Sequence, residues 1–245
     1  MAQWERHRVL AVGAHPDDIE LGCGATLAVH RARGDEITLL VLTKGELGAG
    51  PGVARVDEQE SAAARLGATL VWGGQADGHV HEGRPTVEVI ESVLDEVRPG
   101  VVYTHARGDT HQDHRATARA TLAAARGHNG ILCYEGPTTE RFAPDVYVDV
   151  DGFLEAKLDL ARAHLSQVLR EGLVDVAALE ALARQRGFEG RVQHAEAFEI
   201  GRLVLDLRPD ATPDDRTARA TESVPDQEGG VDAIRGGPNE RTETP

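Results

Sequence analysis

Residues 9–24 read Val-Leu-Ala-Val-Gly-Ala-His-Pro-Asp-Asp-Ile-Glu-Leu-Gly-Cys-Gly, and the change of pattern within them decides the fold. Residues 9–13 form a short apolar run, the mark of a strand buried on both faces. The polar turn that follows gives way to a helical pattern over 24–33, which Gly34 stops. The same unit recurs downstream. Strands are predicted over 36–43, 69–72 and 100–104, and helices over 57–66 and 87–98, ended by Gly67 and the Pro99-Gly100 pair. A fourth helix follows, with Thr110 as its candidate N-cap, an Ala-rich body over 114–126 and Gly127 past its end. Alternating strands and helices imply a parallel sheet with right-handed crossovers. In the doubly wound order 3-2-1-4, strands 1 and 4 are neighbours whose crossovers leave on opposite faces, so a crevice opens at their C-terminal ends. Beyond them, 145–150 and 197–205 read as strands, and 153–169 and 176–186 as helices.

Both strand ends at that crevice carry ionisable clusters. After strand 1 come His15, Asp17 and Asp18; a His and a carboxylate three apart on a turn opening a helix can share one metal ion. Asp17 and Asp18 diverge because they are adjacent, so one carboxylate binds the ion and the other reaches water beside it. The spacing from His15 favours Asp18 as the ligand. After strand 4, His111 and His114 are again three apart, which supplies a third ligand and a spare imidazole. Three ligands of mixed nitrogen and oxygen type, with a position left to water, describe a catalytic zinc site. The same donors suit Fe(II), Co(II) or Mn(II). Any one of these residues alone reads as a loop cap or surface group; two such clusters at adjacent strand ends do not. His79, His81, His105, His128 and His194 are each better explained as surface or satisfied polar residues, His105 least so because it directly follows strand 4.

Composition narrows the function classes. The chain has 245 residues, 40% hydrophobic and 27% charged, ordinary values for a globular protein. Its 41 acidic against 26 basic residues, a formal charge of -15 with no Lys/Arg cluster, argue against nucleic acid or an anionic membrane as partner. Two cysteines, Cys23 and Cys133, are too few for a disulfide framework or a four-thiolate site. Gly22-x-Gly24 lacks the third glycine of a dinucleotide fingerprint, since Leu27 stands there, and no serine lies in G-x-S-x-G. No apolar run spans a bilayer and the N-terminus does not read as a secretory signal, so a cytoplasmic location is expected. One α/β domain is predicted over 1–205. Residues 206–245, without aromatics and with 10 acidic and 5 basic residues among scattered Pro and Gly, are expected to be a disordered acidic tail.

The stretches AHPDDIELGCGAT, TKGELG, Arg55-x-x-Glu58 in a helix ending Leu66-Gly67, and GDTHQDHRATARA resemble the PIG-L/LmbE-like family of metal-dependent N-acetylglucosaminyl deacetylases. The resemblance extends from Val9 to Gln167, with Tyr134-Glu135 and His164-Leu165-Ser166-Gln167 as further landmarks. It implies a Rossmann-like, mostly parallel sheet flanked by helices, with the metal at the C-terminal ends of strands 1 and 4. It implies His15, Asp18 and His114 as metal ligands, zinc foremost, Asp17 as general base and His111 facing the substrate carbonyl and leaving nitrogen. Asp113 would tune His111, and Arg55, Asp77 and Glu46 would contact the sugar. Ile19 and Gln112 depart from commoner residues in the two motifs without touching the ligands. The expected partner is an N-acetylated small molecule of the amino-sugar class; self-association stays open, since some members are oligomers. The alternatives are hydrolysis of a non-sugar N-acyl compound and a metal- or sugar-binding module without turnover.

Overall fold

The computed structural model describes residues 7–48, 55–168 and 174–205; the expected tail at 206–245 lies outside them. Five parallel strands, β1 (Arg8–Gly13), β2 (Glu36–Val41), β3 (Thr69–Trp72), β4 (Val101–His105) and β5 (Gly130–Tyr134), are extended by the antiparallel β6 (Val146–Asp149) and β7 (Ala195–Leu203). The sheet order is β3-β2-β1-β4-β5-β7-β6, which contains the predicted 3-2-1-4 arrangement. β1 pairs in parallel with both β2 and β4, for example Ala11 with Leu39 and with Tyr103.

Alternate residues of β1 serve opposite faces. Val9 and Ala11 pack with Ile19, Cys23 and Leu27 of α1 (Asp18–Arg33), Ala62 and Leu66 of α2 (Arg55–Leu66) and Leu160 of α5 (Leu154–Ala163). Leu10 and Val12 face Ile90 and Leu94 of α3 (Arg84–Val97) and Ala116 and Ala120 of α4 (Gln112–Ala124). The helices after β1 and β4 thus leave on opposite faces, the condition for the crevice.

Four details differ from the sequence expectation. First, α1 begins at Asp18, six residues before Gly24, because it is two helical pieces joined at a kink where Cys23 has φ -140° and ψ 22°. Gly24 does start the second piece: Glu196 of β7 accepts the amide protons of Ala25 (3.1 Å) and Thr26 (2.6 Å), acting as a cap supplied from another element. Second, β5, a fully buried strand of sequence GILCY, stands where no strand was expected. Third, the helix expected over 153–169 breaks at His164, giving α5 and the single turn α6 (Leu165–Val168). Fourth, the N-cap of α4 is His111, whose Nδ1 accepts from the Asp113 amide at 3.2 Å; Thr110 is drawn away to the Thr138 carbonyl through both its amide and its hydroxyl. α7 (Val176–Gly190), capped by Asp175, leads into β7.

The Glu196 cap is neutralised by Lys157 of α5, whose Nζ donates to Glu196 Oε1 at 2.5 Å with both side chains buried. Removing one partner of such a pair strands a buried charge, at a cost of about 3–5 kcal/mol. Glu196→Ala should therefore lower stability by that order in urea unfolding, whereas Lys157→Met combined with Glu196→Gln should recover part of it. A loss within about 0.5 kcal/mol for Glu196→Ala, the range of an ordinary surface change, would show that the pair and cap contribute little.

Candidate functional site

The loops after β1, β2, β3 and β4 meet over the crevice. The loop after β2 supports the one after β1, with the Leu42 and Thr43 amides donating to the Gly13 and Ala14 carbonyls, both at 2.9 Å. Gly13 allows the tight exit from β1, since a Cβ there would meet Ile19 Cγ1 at 2.9 Å. Asp17 has φ 94°, a left-handed conformation that costs a non-glycine residue on the order of 1–3 kcal/mol. Neighbours from α2 offset it: the Gln59 carboxamide oxygen accepts the Asp17 amide proton at 3.1 Å and Arg55 Nη2 donates to the Pro16 carbonyl at 2.6 Å.

Asp18, the first helical residue, turns its buried carboxylate the other way. Oδ2 accepts the His15 amide proton at 2.7 Å and lies 3.4 Å from His15 Nδ1 and 3.2 Å from His105 Nε2, while Oδ1 lies 3.3 Å from His114 Nε2. His105 and His114 stack at 4.2 Å between centroids, and His111 stacks on the other side of His114 at 4.5 Å. His15, Asp18, His114 and His111 thus lie together in one cluster. His105 joins them: it is wholly buried, with Nε2 accepting the Ala14 amide proton at 3.1 Å. Its one legible signal was its place at the end of β4.

Behind His15, two carboxylates converge on Nε2, Asp77 Oδ1 at 3.0 Å and Asp113 Oδ2 at 3.2 Å. They hold a ring proton on Nε2, so that Nδ1, which faces Asp18, is the nitrogen that would be given to a metal, the usual support of a metal-bound imidazole. Asp77 also accepts the Leu47 amide (2.8 Å) and Asp113 the Gly78 amide (2.7 Å). The Asp113 carboxylate thus serves His15; its direct bond to His111 runs through its backbone amide.

Charge follows this geometry. Burial pulls His15 down, but its bonds to Asp113, Asp18 and Asp77 outweigh this and push it up to about 12. His114 likewise rises to about 9 against burial, through Asp18 and Asp109. Burial and the neighbouring His114 pull His105 down to about 4. Asp18 is held well below the carboxylate range despite burial, by His114 and His105, whereas burial and the charge of Asp18 raise Asp17 to about 7 against the pull of Arg55. The cluster draws positive charge to His15 and His114, the place a divalent cation would take. Three overlapping sets have donor atoms within 4.8 Å of one another: His15, His111 and His114; Asp18, His105 and His114; and His15, Asp77 and Asp113. Asp113 Oδ1 and His105 Nδ1 are buried without hydrogen-bond partners, so the donor set has unused polar capacity. These residues fit a metal of the zinc, iron, cobalt or manganese type.

A cavity of about 580 Å³ opens above the cluster, lined by Asp17, Arg55, Asp77 and His111 among others, with Leu47 and Val174 adding apolar surface. Arg55 is buried; besides Pro16 it reaches Gly45 O at 3.4 Å and lies 3.4 Å from Asp17 Oδ1. Glu46 is exposed in a single helical turn (Glu46–Gly48) and is not among the described lining residues, although Leu47 and Gly48 are. No helix among the described residues is long and apolar enough to cross a membrane.

An α/β sheet with a His/Asp cluster of metal-binding type, set where β1 and β4 end, defines the class of protein. The chain belongs to the PIG-L family: the model for GlcNAc-PI de-N-acetylase matches residues 10–125, which contain both His/Asp motifs. An uncharacterized deacetylase of Escherichia coli K12, YaiS, is 35% identical over 171 residues, 66% of this chain and 92% of its own. A 1D-myo-inositol 2-acetamido-2-deoxy-alpha-D-glucopyranoside deacetylase of Kineococcus radiotolerans is 28% identical, covering 66% of this chain and 69% of the relative. The crystal structure of the conserved protein TT1542 of Thermus thermophilus superposes with a TM-score of 0.73 at 30% identity, covering 84% of this chain and 100% of that one.

The position of Asp18 between His15 and His114 predicts uptake of about one divalent ion per chain. Equilibrium dialysis followed by elemental analysis should find that stoichiometry for the parent and a largely metal-free Asp18→Ala. A fully loaded Asp18→Ala would place the ion elsewhere.

Proposed function

We propose that this chain is a zinc-dependent N-deacetylase that hydrolyses the acetamide of an amino sugar or sugar conjugate, with His15, Asp18 and His114 holding the metal. The observation that carries this reading is the placement of Asp17 and His111 on the same cavity, beside the ligand cluster. When bound, the metal lowers the pKa of water and polarises the amide carbonyl. Asp17 takes the water proton as the oxygen adds to the acyl carbon. Raised toward neutrality by burial, it can both accept that proton and release it. His111 has Nδ1 occupied by the Asp113 amide, so Nε2 is its working atom. Burial, with His114 and His15 beside it, lowers its pKa, which makes its protonated form a ready donor to the leaving nitrogen as the C–N bond breaks. Acetate and a free amine result.

Arg55 and Asp77 face the cavity and are proposed to orient hydroxyl groups; Glu46 would reach substrate only from the rim. Arg55 has a second duty, because it also holds the Pro16 carbonyl that precedes the left-handed Asp17. A sugar substrate is supported by the inositol-glucosamine deacetylase named among the relatives.

Three outcomes test the reading by amine release from N-acetylated sugars. Asp17→Asn and His111→Ala should bind metal like the parent yet lose about 10²- to 10⁴-fold in kcat; near-parental turnover in both would exclude this mechanism. Exhaustive chelation should abolish turnover and zinc or cobalt restore it, so a chelator-treated, metal-free sample with full activity would refute the metal's role. Arg55→Ala should raise KM and also lower kcat by about 10²-fold, through loss of Asp17 positioning. A change in KM alone would confine Arg55 to substrate contact.

A further inference from the structure

Asp109 has no assigned part in the chemistry above, yet both of its carboxylate oxygens are fully engaged at the site. It is buried, and all four groups around it donate. Oδ1 accepts the His111 amide proton and the Thr138 hydroxyl proton, each at 2.8 Å. Oδ2 accepts the Thr139 hydroxyl at 3.0 Å and lies 3.2 Å from His114 Nδ1. Thr138 Oγ1, whose proton goes to Asp109, lies 3.3 Å from the same His114 nitrogen and so presents a lone pair to it. Both neighbours of His114 Nδ1 are therefore acceptors, and the ring proton belongs there.

We propose that Asp109 is the positioning residue of the metal centre, fixing His114 as the Nδ1–H tautomer so that the Nε2 lone pair is aimed at the ion beside Asp18. This rests on the reading that the cluster binds a metal. Nε2 faces Asp18 Oδ1 at 3.3 Å, so a cation entering there displaces the Nε2 proton and finds an imidazole and a carboxylate donor side by side. The same carboxylate holds the amide of His111, the other working imidazole, and ties down the Thr138–Thr139 segment through their hydroxyls, beside an isolated backbone bridge between Asp109 and Thr139. An amide cannot replace it. An asparagine side chain in its place would have one acceptor oxygen for four donors, and its NH₂ group, if turned to His114, would require a bare Nδ1 and put the proton on Nε2, where the metal belongs.

The test uses the full chain and zinc competed against a chromophoric chelator, so its first readout is affinity rather than turnover. Asp109→Asn should weaken zinc binding about 10- to 100-fold, the usual effect of removing a carboxylate behind a ligating histidine. Thr139→Val, which removes a loop tie but leaves the carboxylate facing His114, should bind zinc like the parent. In zinc-loaded parent protein, ¹⁵N resonances of His114 should show a protonated Nδ1 and a metal-bound Nε2. That measurement keeps the proposal falsifiable even if Asp109→Asn fails to fold. Equal zinc affinity in folded Asp109→Asn and parent, or zinc on His114 Nδ1, would overturn the role of Asp109 and leave the deacetylase reading standing. A parent chain that binds no zinc, iron, cobalt or manganese would instead overturn both.

Discussion

The Asp18 carboxylate is the contact on which the rest of the site depends. Burial alone would drive it to the neutral form. His114 and His105 crowd around it instead and hold it ionised, with His15 beside them. Those imidazoles create a demand of their own, since His15 and His114 are themselves buried. Asp77 and Asp113 meet it for His15, and Asp109 for His114. The outer carboxylates in turn need donors, and they find them in the backbone amides of Leu47, Gly78 and His111 and in two threonine hydroxyls. The site is thus built in layers of alternating sign that end on neutral dipoles. Removing any layer leaves a buried charge uncompensated, which costs far more than a surface pair contributes.

The sheet makes those layers possible by bringing four loops to one edge. β1 and β4 supply the two motif loops directly because they are neighbours. The loop after β3 starts two strands away and reaches them along the loop after β2: the Gly73 and Gln75 amides bond to the Val41 and Leu42 carbonyls, which carries Asp77 and Gly78 to His15 and Asp113.

This path explains what could and could not be read from the sequence. The parallel order and the pairing of the two motifs were legible because strand and helix periodicity is local and His-x-x-Asp and His-x-x-His spacings are too. Asp77 was found only through family resemblance, since nothing in its own neighbourhood shows that a loop from an edge strand bends back to His15. Asp109 was in plain view two residues before His111, but its function depends on Thr138 and Thr139 lying across from it. Gln59 lies within the helix expected over 57–66, and its bond to the Asp17 amide is a tertiary fact. Glu196 was the least legible: it caps α1 from 170 residues away, so the sequence showed where the second helical piece starts but not what starts it. The misplacement of the α4 cap has the same origin, because Thr110 is a good local cap that a distant carbonyl took away.

Asp17 and Asp18 show why such tertiary facts matter to chemistry. They are identical side chains on adjacent residues, at one end of one helix, and their acidities move in opposite directions. The difference is made by the backbone. With Asp17 left-handed and Asp18 helical, one carboxylate enters the imidazole cluster and the other faces the cavity with a single guanidinium nearby. Gln59 and Arg55 are what hold the unfavourable φ in place. A loosening of α2 would let Asp17 relax toward ordinary backbone angles and swing its carboxylate away from its station. The strain at one residue therefore separates a group suited to binding a cation from a group suited to moving a proton, and α2, which carries no metal ligand, maintains that separation.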